Sequence, residues 1–239
     1  MSGRPPAKVC VVVPTYNERE NIVPLLEAIS AVRRPGDQLL FVDDSSPDGT
    51  QEPIKEAAAR EAWVHLYSRE AKKGIGSAYL DGFRHAISAL QADVLLEMDA
   101  DLQHPPGVIP ALVRAIDAGA DVAIASRYVH GGGSRGWGFW RRLISRGANW
   151  QAKTFLGLDV RDCTSGFRAY RKAAAQKLLE VKLPASGFEF QVAALYALKT
   201  DMKMVEVPFV FEVRKAGRSK LKVKDVVKFF FFNLWVGLG

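Results

Sequence analysis

Val94-Leu95-Leu96-Glu97-Met98-Asp99-Ala100-Asp101-Leu102-Gln103 joins an apolar run of strand length to two carboxylates at i and i+2. Leu95, Leu96 and Met98 suit a strand buried within a sheet. In an extended or turning backbone, residues i and i+2 point the same way, so Asp99 and Asp101 face one spot. Two carboxylates held together repel unless a cation lies between them. Oxygen donors of this kind suit Mg²⁺ or Mn²⁺, with a nucleotide diphosphate completing the shell and the Gln103 amide oxygen as a further candidate ligand. Taken alone, Asp-x-Asp reads equally as a solvated turn at a strand end. Its place after a buried strand adds weight to the ligand reading.

Outward from this stretch, apolar and β-branched runs alternate with helical patterns. Residues 9–13, 39–42, 64–67, 94–98 and 122–125 read as buried strands, and 18–32, 50–60, 77–90 and 106–118 as helices. Strands separated by helices predict right-handed βαβ units, hence an α/β fold with a mostly parallel, Rossmann-like sheet. Such sheets place ligands beyond the C-terminal ends of their strands. That directs attention to residues 14–18, 43–48, 99–103 and 126–127. The second half is less regular. A glycine-rich segment at 131–138 predicts a mobile loop, and 139–155 a basic helix. A strand near 167–170, a helix near 188–198 and a strand over 204–213 follow. The expected organisation is one domain over residues 1–221 and a tail over 222–239.

At 239 residues, with 48% hydrophobic and 25% charged residues, the chain excludes disorder, coiled coil and disulfide scaffolds as its main plan. Cys10 and Cys163 make neither a disulfide framework nor a cysteine zinc site. The opening residues show no signal-peptide pattern, and no stretch reaches the roughly 20 apolar residues of a membrane span. The net charge is +7. Between Arg127 and Leu158 there is no acid, only Arg127, Arg135, Arg141, Arg142, Arg146 and Lys153. A second basic run lies between Arg214 and Lys228. Such clustering points to phosphates, on nucleic acid, a nucleotide or a membrane surface. Paired carboxylates after strands argue against a nucleic-acid binding module.

The other strand ends carry their own candidates. Asp43, closing an apolar run that contains Phe41, is placed to accept hydrogen bonds from a base or ribose. Ser46-Pro47-Asp48-Gly49 is turn chemistry, with Asp48 or Thr50 capping the next helix. In Pro14-Thr15-Tyr16-Asn17-Glu18, Tyr16 offers a ring for a base and Glu18 suits a helix start, though the segment is equally a helix-entry turn. Lys72-Lys73-Gly74-Ile75-Gly76-Ser77 is as consistent with a plain loop as with phosphate contact. The four histidines have no metal-ligand spacing.

In this order, PTYNERENI, VDDSSPDGT, GIGSAY, MDADLQH, SRY, RRLISRGAN, TSGFRAYRK and RKAGRSKL resemble the inverting family 2 glycosyltransferases of GT-A fold, and within them the polyprenyl-phosphate sugar transferases of the dolichyl-phosphate mannose synthase type. The resemblance covers residues 9–221. It implies that Pro14, Tyr16, Glu18, Phe41 and Asp43 hold the nucleotide, and that Asp99, Ala100, Asp101 and Gln103 surround the donor and its divalent metal. It also implies that Arg127, Arg141 and Ser145 meet the acceptor phosphate, that Arg214 and Lys220 reach the donor diphosphate or reacting sugar, and that residues 165–168 shape the site. Asp101, Arg127 and Arg214 would be the catalytic set. The implied donor is GDP-mannose, with UDP-glucose or another UDP-sugar as the alternative. A transferase with a hydroxyl acceptor would need a carboxylate base, and none lies between Arg127 and Leu158. A polyprenyl phosphate is already an anion, with a second pKa of about 6, and needs cationic anchoring instead.

Lys220, Lys222, Lys224 and Lys228 precede an aromatic, apolar end that includes Phe229 to Phe232 and Trp235. The pattern predicts a helix at the membrane interface or the start of a membrane segment, with the catalytic domain on the cytoplasmic side. A membrane partner subunit is the alternative source of anchoring. Arg142 and Arg146 read as solvated or as facing lipid head groups.

Overall fold

Side-chain alternation along the first strand sorts the interior into two apolar layers. β1 (Val9–Thr15) sends Val9, Val11 and Val13 to one face of the sheet and Cys10 and Val12 to the other. The computed structural model describes residues 7–181, 187, 189–212, 232–234 and 236. Four further strands follow the expected rhythm: β2 (Gln38–Asp43), β3 (Val64–Ser68), β4 (Val94–Glu97) and β5 (Val122–Ser126). Between them lie α1 (Arg19–Ser30), α2 (Gln51–Arg60), α3 (Ile75–Ser88) and α4 (Ile109–Asp117), the last entered through a 3₁₀ turn at Pro106–Val108.

The second half adds β6 (Gly133–Ser134), α5 (Phe139–Leu156), β7 (Arg168–Arg171), α6 (Lys172–Glu180), α7 (Phe190–Leu198), β8 (Met204–Pro208) and β9 (Val210–Phe211). The main sheet has seven strands in the order β3-β2-β1-β4-β7-β5-β8. Every neighbouring pair is parallel except those of β7, which runs antiparallel to both β4 and β5. The mostly parallel α/β sheet flanked by helices therefore stands.

One layer packs Ile22, Leu25 and Ile29 of α1 and Ile109, Leu112, Val113 and Ile116 of α4 against Val9, Val11, Val13, Leu39 and Phe41. The opposite layer packs α3, α6, α7 and the inner side of α5 against Cys10, Val12, Leu40 and Val42. On this second face α3 lies close to the strands. A Cβ on Gly82 would stand 2.4 Å from Val12 Cγ1 and 2.9 Å from Val42 Cγ2, so the approach requires glycine.

Three details differ from the sequence expectation. The segment 131–138 is anchored: β6 pairs with β9, Gly133 N–H donates to the Phe209 carbonyl at 3.0 Å, and Arg135 N–H to that of Phe211 at 2.9 Å. Trp137, buried in the α1/α4 layer, is the apolar anchor that a reading based on glycine content overlooks. The strand expected over 204–213 divides at Phe209, because Pro208 ends the pairing with β5 and the chain crosses to β6. The short helix α6 was not expected at all. Of the tail, only residues 232–234 and 236 are described. Phe232 and Val236 pack on the α3 layer, and Asn233 donates to Gln151 Oε1 at 3.2 Å. The remainder of 222–239, its boundary at 221, and both Arg214 and Lys220 lie outside the described residues.

Candidate active site

The C-terminal ends of β1, β2, β4 and β5 open on one side, since all four strands run the same way and β7 alone is reversed, and they carry the chemistry-bearing turns. At the first two, Asp43 is fully buried and accepts four hydrogen bonds: from Thr15 Oγ1 at 2.9 Å, Ser46 N at 3.0 Å, Ser46 Oγ at 2.6 Å and Gln51 Nε2 at 2.7 Å. It thus braces the turn after β2 against β1. A second brace runs through Thr50, whose hydroxyl accepts from Glu18 N at 3.0 Å and donates to Asp48 at 2.6 Å. Burial works against the Asp48 charge. Hydrogen bonds from Thr50 and the Arg19 backbone outweigh it and hold the carboxyl below its usual range. Asp48 is structural, as its turn sequence suggested.

Pro14 and Tyr16 are half-buried at the same edge, with Lys72 Nζ 4.0 Å from the centre of the Tyr16 ring. Glu18 accepts from Asn21 Nδ2 at 2.7 Å. Phe41 and Asp43 differ from Pro14, Tyr16 and Glu18 in being fully buried: the Phe41 ring packs in the α1/α4 layer and is not on the cleft surface, and Asp43 spends its oxygens on the turn.

The acid turn follows β4. Leu102 adopts φ +60°, the left-handed region, and folds Gln103 back so that its N–H donates to Asp101 Oδ1 at 3.0 Å. Ala100, Asp101 and Gln103 are buried, whereas the Asp99 side chain is 39% exposed. Gln103 Nε2 donates to the Glu212 carbonyl at 3.1 Å, which fixes the amide oxygen as the opposite end of the group. Asp99 Oδ1 accepts from Tyr79 OH at 3.2 Å. Burial, then the Asp99 charge, push the Tyr79 hydroxyl well above its ordinary pKa, so it remains a donor. His104 Nδ1 accepts the Asp99 N–H at 3.1 Å, which puts the ring proton on Nε2. The ring stacks on Phe167, with centroids 5.0 Å apart.

Among the described residues, no group of three or more His, Cys, Asp and Glu side chains is arranged to hold a metal ion. Two carboxylates and one amide oxygen are nevertheless a hard-oxygen donor set. They fit a divalent cation that takes its remaining ligands from a diphosphate and water, as Mg²⁺ and Mn²⁺ do.

Beneath this turn, Glu97 is fully buried beside Arg168, its Cα partner across the β4–β7 pair. Burial pushes its carboxyl up to about 7, against the pull of the guanidinium. Arg168, itself fully buried, donates to the Gln191 carbonyl at 2.6 Å and the Cys163 carbonyl at 2.9 Å. Arg168 therefore ties β7 to the 163 loop and to α7 beneath the acid turn.

The third group follows β5. Arg127 lies in a buried bidentate pair with Asp162: Nε–Oδ2 is 2.7 Å and Nη2–Oδ1 2.6 Å, while Arg127 N–H also donates to Oδ2 at 2.9 Å. Burial alone would weaken the guanidinium's hold on its proton, but the Asp162 charge raises its pKa instead. The Arg127 guanidinium carbon lies 5.3 Å from the centre of the Trp137 ring and that of Arg141 4.4 Å, so one indole gathers both arginines. Trp137 Nε1 is buried and, among the described residues, has no hydrogen-bond partner. Ser145 Oγ accepts from Tyr128 OH at 2.7 Å. Asn149 ties α5 to the 162–164 loop, donating to the Ser145 carbonyl and accepting from Cys163 N at 2.7 Å.

The fold therefore gathers Arg127, Arg141 and Ser145 along one wall, and Asp99, Asp101 and Gln103 in one turn. Tyr79, His104, Trp137 and Asp162 were missed by sequence reasoning. Trp137 had a signal, as the bulky residue in a run of small ones, and His104 had one as the residue directly after Gln103; Tyr79 and Asp162 reach the site from segments 20 and 35 residues away from their partners.

The Glycosyl transferase family 2 profile matches residues 10–179. The chain is 43% identical over 225 residues to dolichol-phosphate mannosyltransferase of Pyrococcus furiosus, covering 93% of this chain and 61% of that protein. It thus spans less than two thirds of that relative. It is 41% identical to polyprenol monophosphomannose synthase of Mycolicibacterium smegmatis, over 93% of this chain and 84% of the relative. With undecaprenyl-phosphate mannosyltransferase of Micrococcus luteus the identity is 36%, over 97% of each. Among solved structures, glucosyl-3-phosphoglycerate synthase of Mycobacterium tuberculosis with phosphoglyceric acid gives a TM-score of 0.70 at 22% identity, over 97% of this chain and 80% of that one. The same enzyme with Mn²⁺, uridine diphosphate and glucosyl-3-phosphoglycerate gives 0.69 at 21% identity. With a family match across most of its length and relatives above a third identical, the chain belongs to glycosyltransferase family 2.

Proposed function

We propose that the chain transfers mannose from GDP-mannose to a polyprenyl monophosphate with inversion, giving a β-linked polyprenyl-phosphate mannose. The observation that carries this reading is the acceptor wall. Arg127, Arg141 and Ser145 converge there, and the carboxylate that the fold brings beside them, Asp162, is bound to Arg127 and is no base for a hydroxyl. A phosphate nucleophile needs no base; it needs anchoring and alignment. Three relatives named as mannosyltransferases acting on dolichol, polyprenol or undecaprenyl phosphate support the same acceptor class and sugar.

Tyr16 and the braced turn around Asp43 bind the nucleoside. Asp99, Asp101 and Gln103 hold the diphosphate end of the donor together with a divalent metal, a requirement supported by the Mn²⁺ complex of the fold neighbour. When bound, that metal supplies charge neutralisation to the departing diphosphate. Tyr79 and the His104 imidazole fix the Asp99 carboxylate and backbone. Arg127 and Arg141 orient the acceptor phosphate for in-line attack on the anomeric carbon, with Ser145 as a neutral hydrogen-bonding partner. Arg214 and Lys220 act on the diphosphate in this reading. The chain works at a membrane surface, on the cytoplasmic face according to its lysine-rich tail sequence.

Incubation with polyprenyl phosphate and either labelled GDP-mannose or labelled UDP-glucose, followed by lipid extraction, tests the proposal. Label from GDP-mannose in an acid-labile lipid is expected. Label from UDP-glucose alone overturns the mannose assignment, and label in neither lipid overturns the acceptor.

A further inference from the structure

Tyr128 follows Arg127 directly, and its backbone is held by its own N–H, which donates to Ser126 Oγ at 3.2 Å. Its ring lies beside the anchor, with the Arg127 guanidinium carbon 5.5 Å from the ring centre. Its hydroxyl crosses to Ser145 and donates to Oγ at 2.7 Å. Of two hydroxyls in contact the phenol is the stronger acid, so the tyrosine is the donor of this pair. A serine inside a helix often turns its hydroxyl hydrogen back onto the carbonyl one turn earlier, as Ser88 does to Arg84 at 2.8 Å. Ser145 differs: its oxygen is taken by Tyr128, and its hydroxyl hydrogen makes no hydrogen bond to a described residue. The residue is half-buried, which leaves that hydrogen within reach of a ligand.

The groups around Ser145 are likewise spent as acceptors. Asp162 and Thr164 take the Nε and Nη2 hydrogens of Arg127, so those of Nη1 make no hydrogen bond among the described residues. Asn149 Oδ1 accepts from Cys163 N at 2.7 Å and Thr164 N at 3.3 Å, and Thr164 Oγ1 accepts from Arg127 and from Asn149.

We infer that Tyr128 is a positioning residue for the acceptor: by occupying a lone pair of Ser145 Oγ, it turns the Ser145 hydroxyl hydrogen toward the acceptor's phosphate. The wall then presents hydrogens from Ser145 and Arg127 and no unspent carboxylate. That set matches an ionised phosphate, whose oxygens only accept, and mismatches a sugar hydroxyl, which must also hand over a proton. Because the phenol touches Ser145 and not the phosphate, its effect passes entirely through that serine. The inference rests on the proposed acceptor, and binding measured without turnover separates the two.

The test uses the full chain and measures binding of farnesyl phosphate, a short polyprenyl monophosphate, by calorimetry, alongside steady-state transfer from GDP-mannose. Tyr128→Phe deletes only the hydroxyl and should weaken farnesyl phosphate about fivefold, the worth of one neutral hydrogen bond. KM for the polyprenyl phosphate should rise by about the same factor, with KM for GDP-mannose unchanged. Ser145→Ala should weaken binding by at least as much, and Tyr128→Phe with Ser145→Ala by no more than Ser145→Ala alone. That equality is the decisive result, since a tyrosine that merely packs would give losses that multiply. Three results overturn the inference: unchanged affinity in Tyr128→Phe, multiplying losses in the double variant, or no binding of farnesyl phosphate by the unmodified chain. A chain that binds farnesyl phosphate with the expected losses yet transfers no mannose would instead refute the proposed function and leave the role of Tyr128 standing.

Discussion

Replacing Asp162 with alanine removes both carboxylate oxygens paired with Arg127 and leaves the guanidinium with the neutral Thr164 hydroxyl, at 2.7 Å from Nη2. The Arg127 side chain is 8% exposed and that of Asp162 is fully buried. Breaking a buried pair by deleting one partner costs about 3–5 kcal/mol, a large share of the roughly 5–15 kcal/mol that stabilises an ordinary domain. Asp162→Asn keeps one oxygen acceptor and loses the charge, so a smaller loss of about 2 kcal/mol is expected. Urea unfolding followed by circular dichroism reads these as shifts in midpoint at constant slope. Removing both charges, as in Asp162→Ala with Arg127→Met, should recover part of the loss, since no uncompensated cation then remains. If the alanine variant loses less than about 1 kcal/mol, or if the two single losses simply add, Asp162 does not hold Arg127 and the account of the acceptor wall fails. In turnover assays, Asp162→Asn should raise KM for the polyprenyl phosphate about tenfold, more than it lowers kcat, because a positioning contact is lost.

Asp101→Asn should cut turnover by about 100-fold or more and weaken Mn²⁺-dependent binding of the nucleotide, read by calorimetry; binding unchanged with metal present would remove Asp101 from the ligand set. Glu97 gives a pH signature. Its carboxyl moves from an ordinary 4.5 to about 7 on folding, so between those values the folded chain holds a proton that the unfolded chain has released. Stability from this group is greatest below pH 4.5 and falls as pH rises through about 7. Glu97→Gln should therefore gain melting temperature relative to the parent between pH 5 and pH 8; an equal difference at both pH values would refute the shift. Gly82→Ala should cost about 1–3 kcal/mol by overpacking against Val12 and Val42, measured by the same urea titration.

The half of the fold with local period was readable from sequence. Val9 to Val13, Leu39 to Val42 and Val94 to Met98 announced buried strands, and the turns after them announced where a ligand sits, because βαβ units leave little choice of side. The position of β7 was not readable. Its Arg-Ala-Tyr-Arg is short, and nothing local says that it runs antiparallel between β4 and β5. The partner of Arg127 was hidden for a related reason: Asp162 lies 35 residues downstream, and an acid-free stretch around Arg127 concealed that the fold would import an acid. Gly131 to Gly138 misled through composition, since glycine suggests freedom while the Trp137 anchor and the pairing with β9 remove it. Phe41 reads as a ligand residue by resemblance, yet its ring is fully buried. Arg214 and Lys220 were named from the resemblance and lie outside the described residues.

The reversed strand β7 also works as a spacer. Because it intervenes between β4 and β5, the acid turn and Arg127 are separated by two interstrand pitches, about 10 Å. Had β4 and β5 been neighbours, the acid turn and Arg127 would have crowded into half that span. The interval is about that of a single pyranose ring with a phosphorus atom on either side. Since β7 runs the opposite way, it presents its entrance, Ser165-Gly166-Phe167, at the bottom of that interval. Of the three, Ser165 and Phe167 are buried and Gly166 alone is half-buried, so under the proposed function enlarging Gly166 is the most direct way to ask how much of that interval the hexose needs.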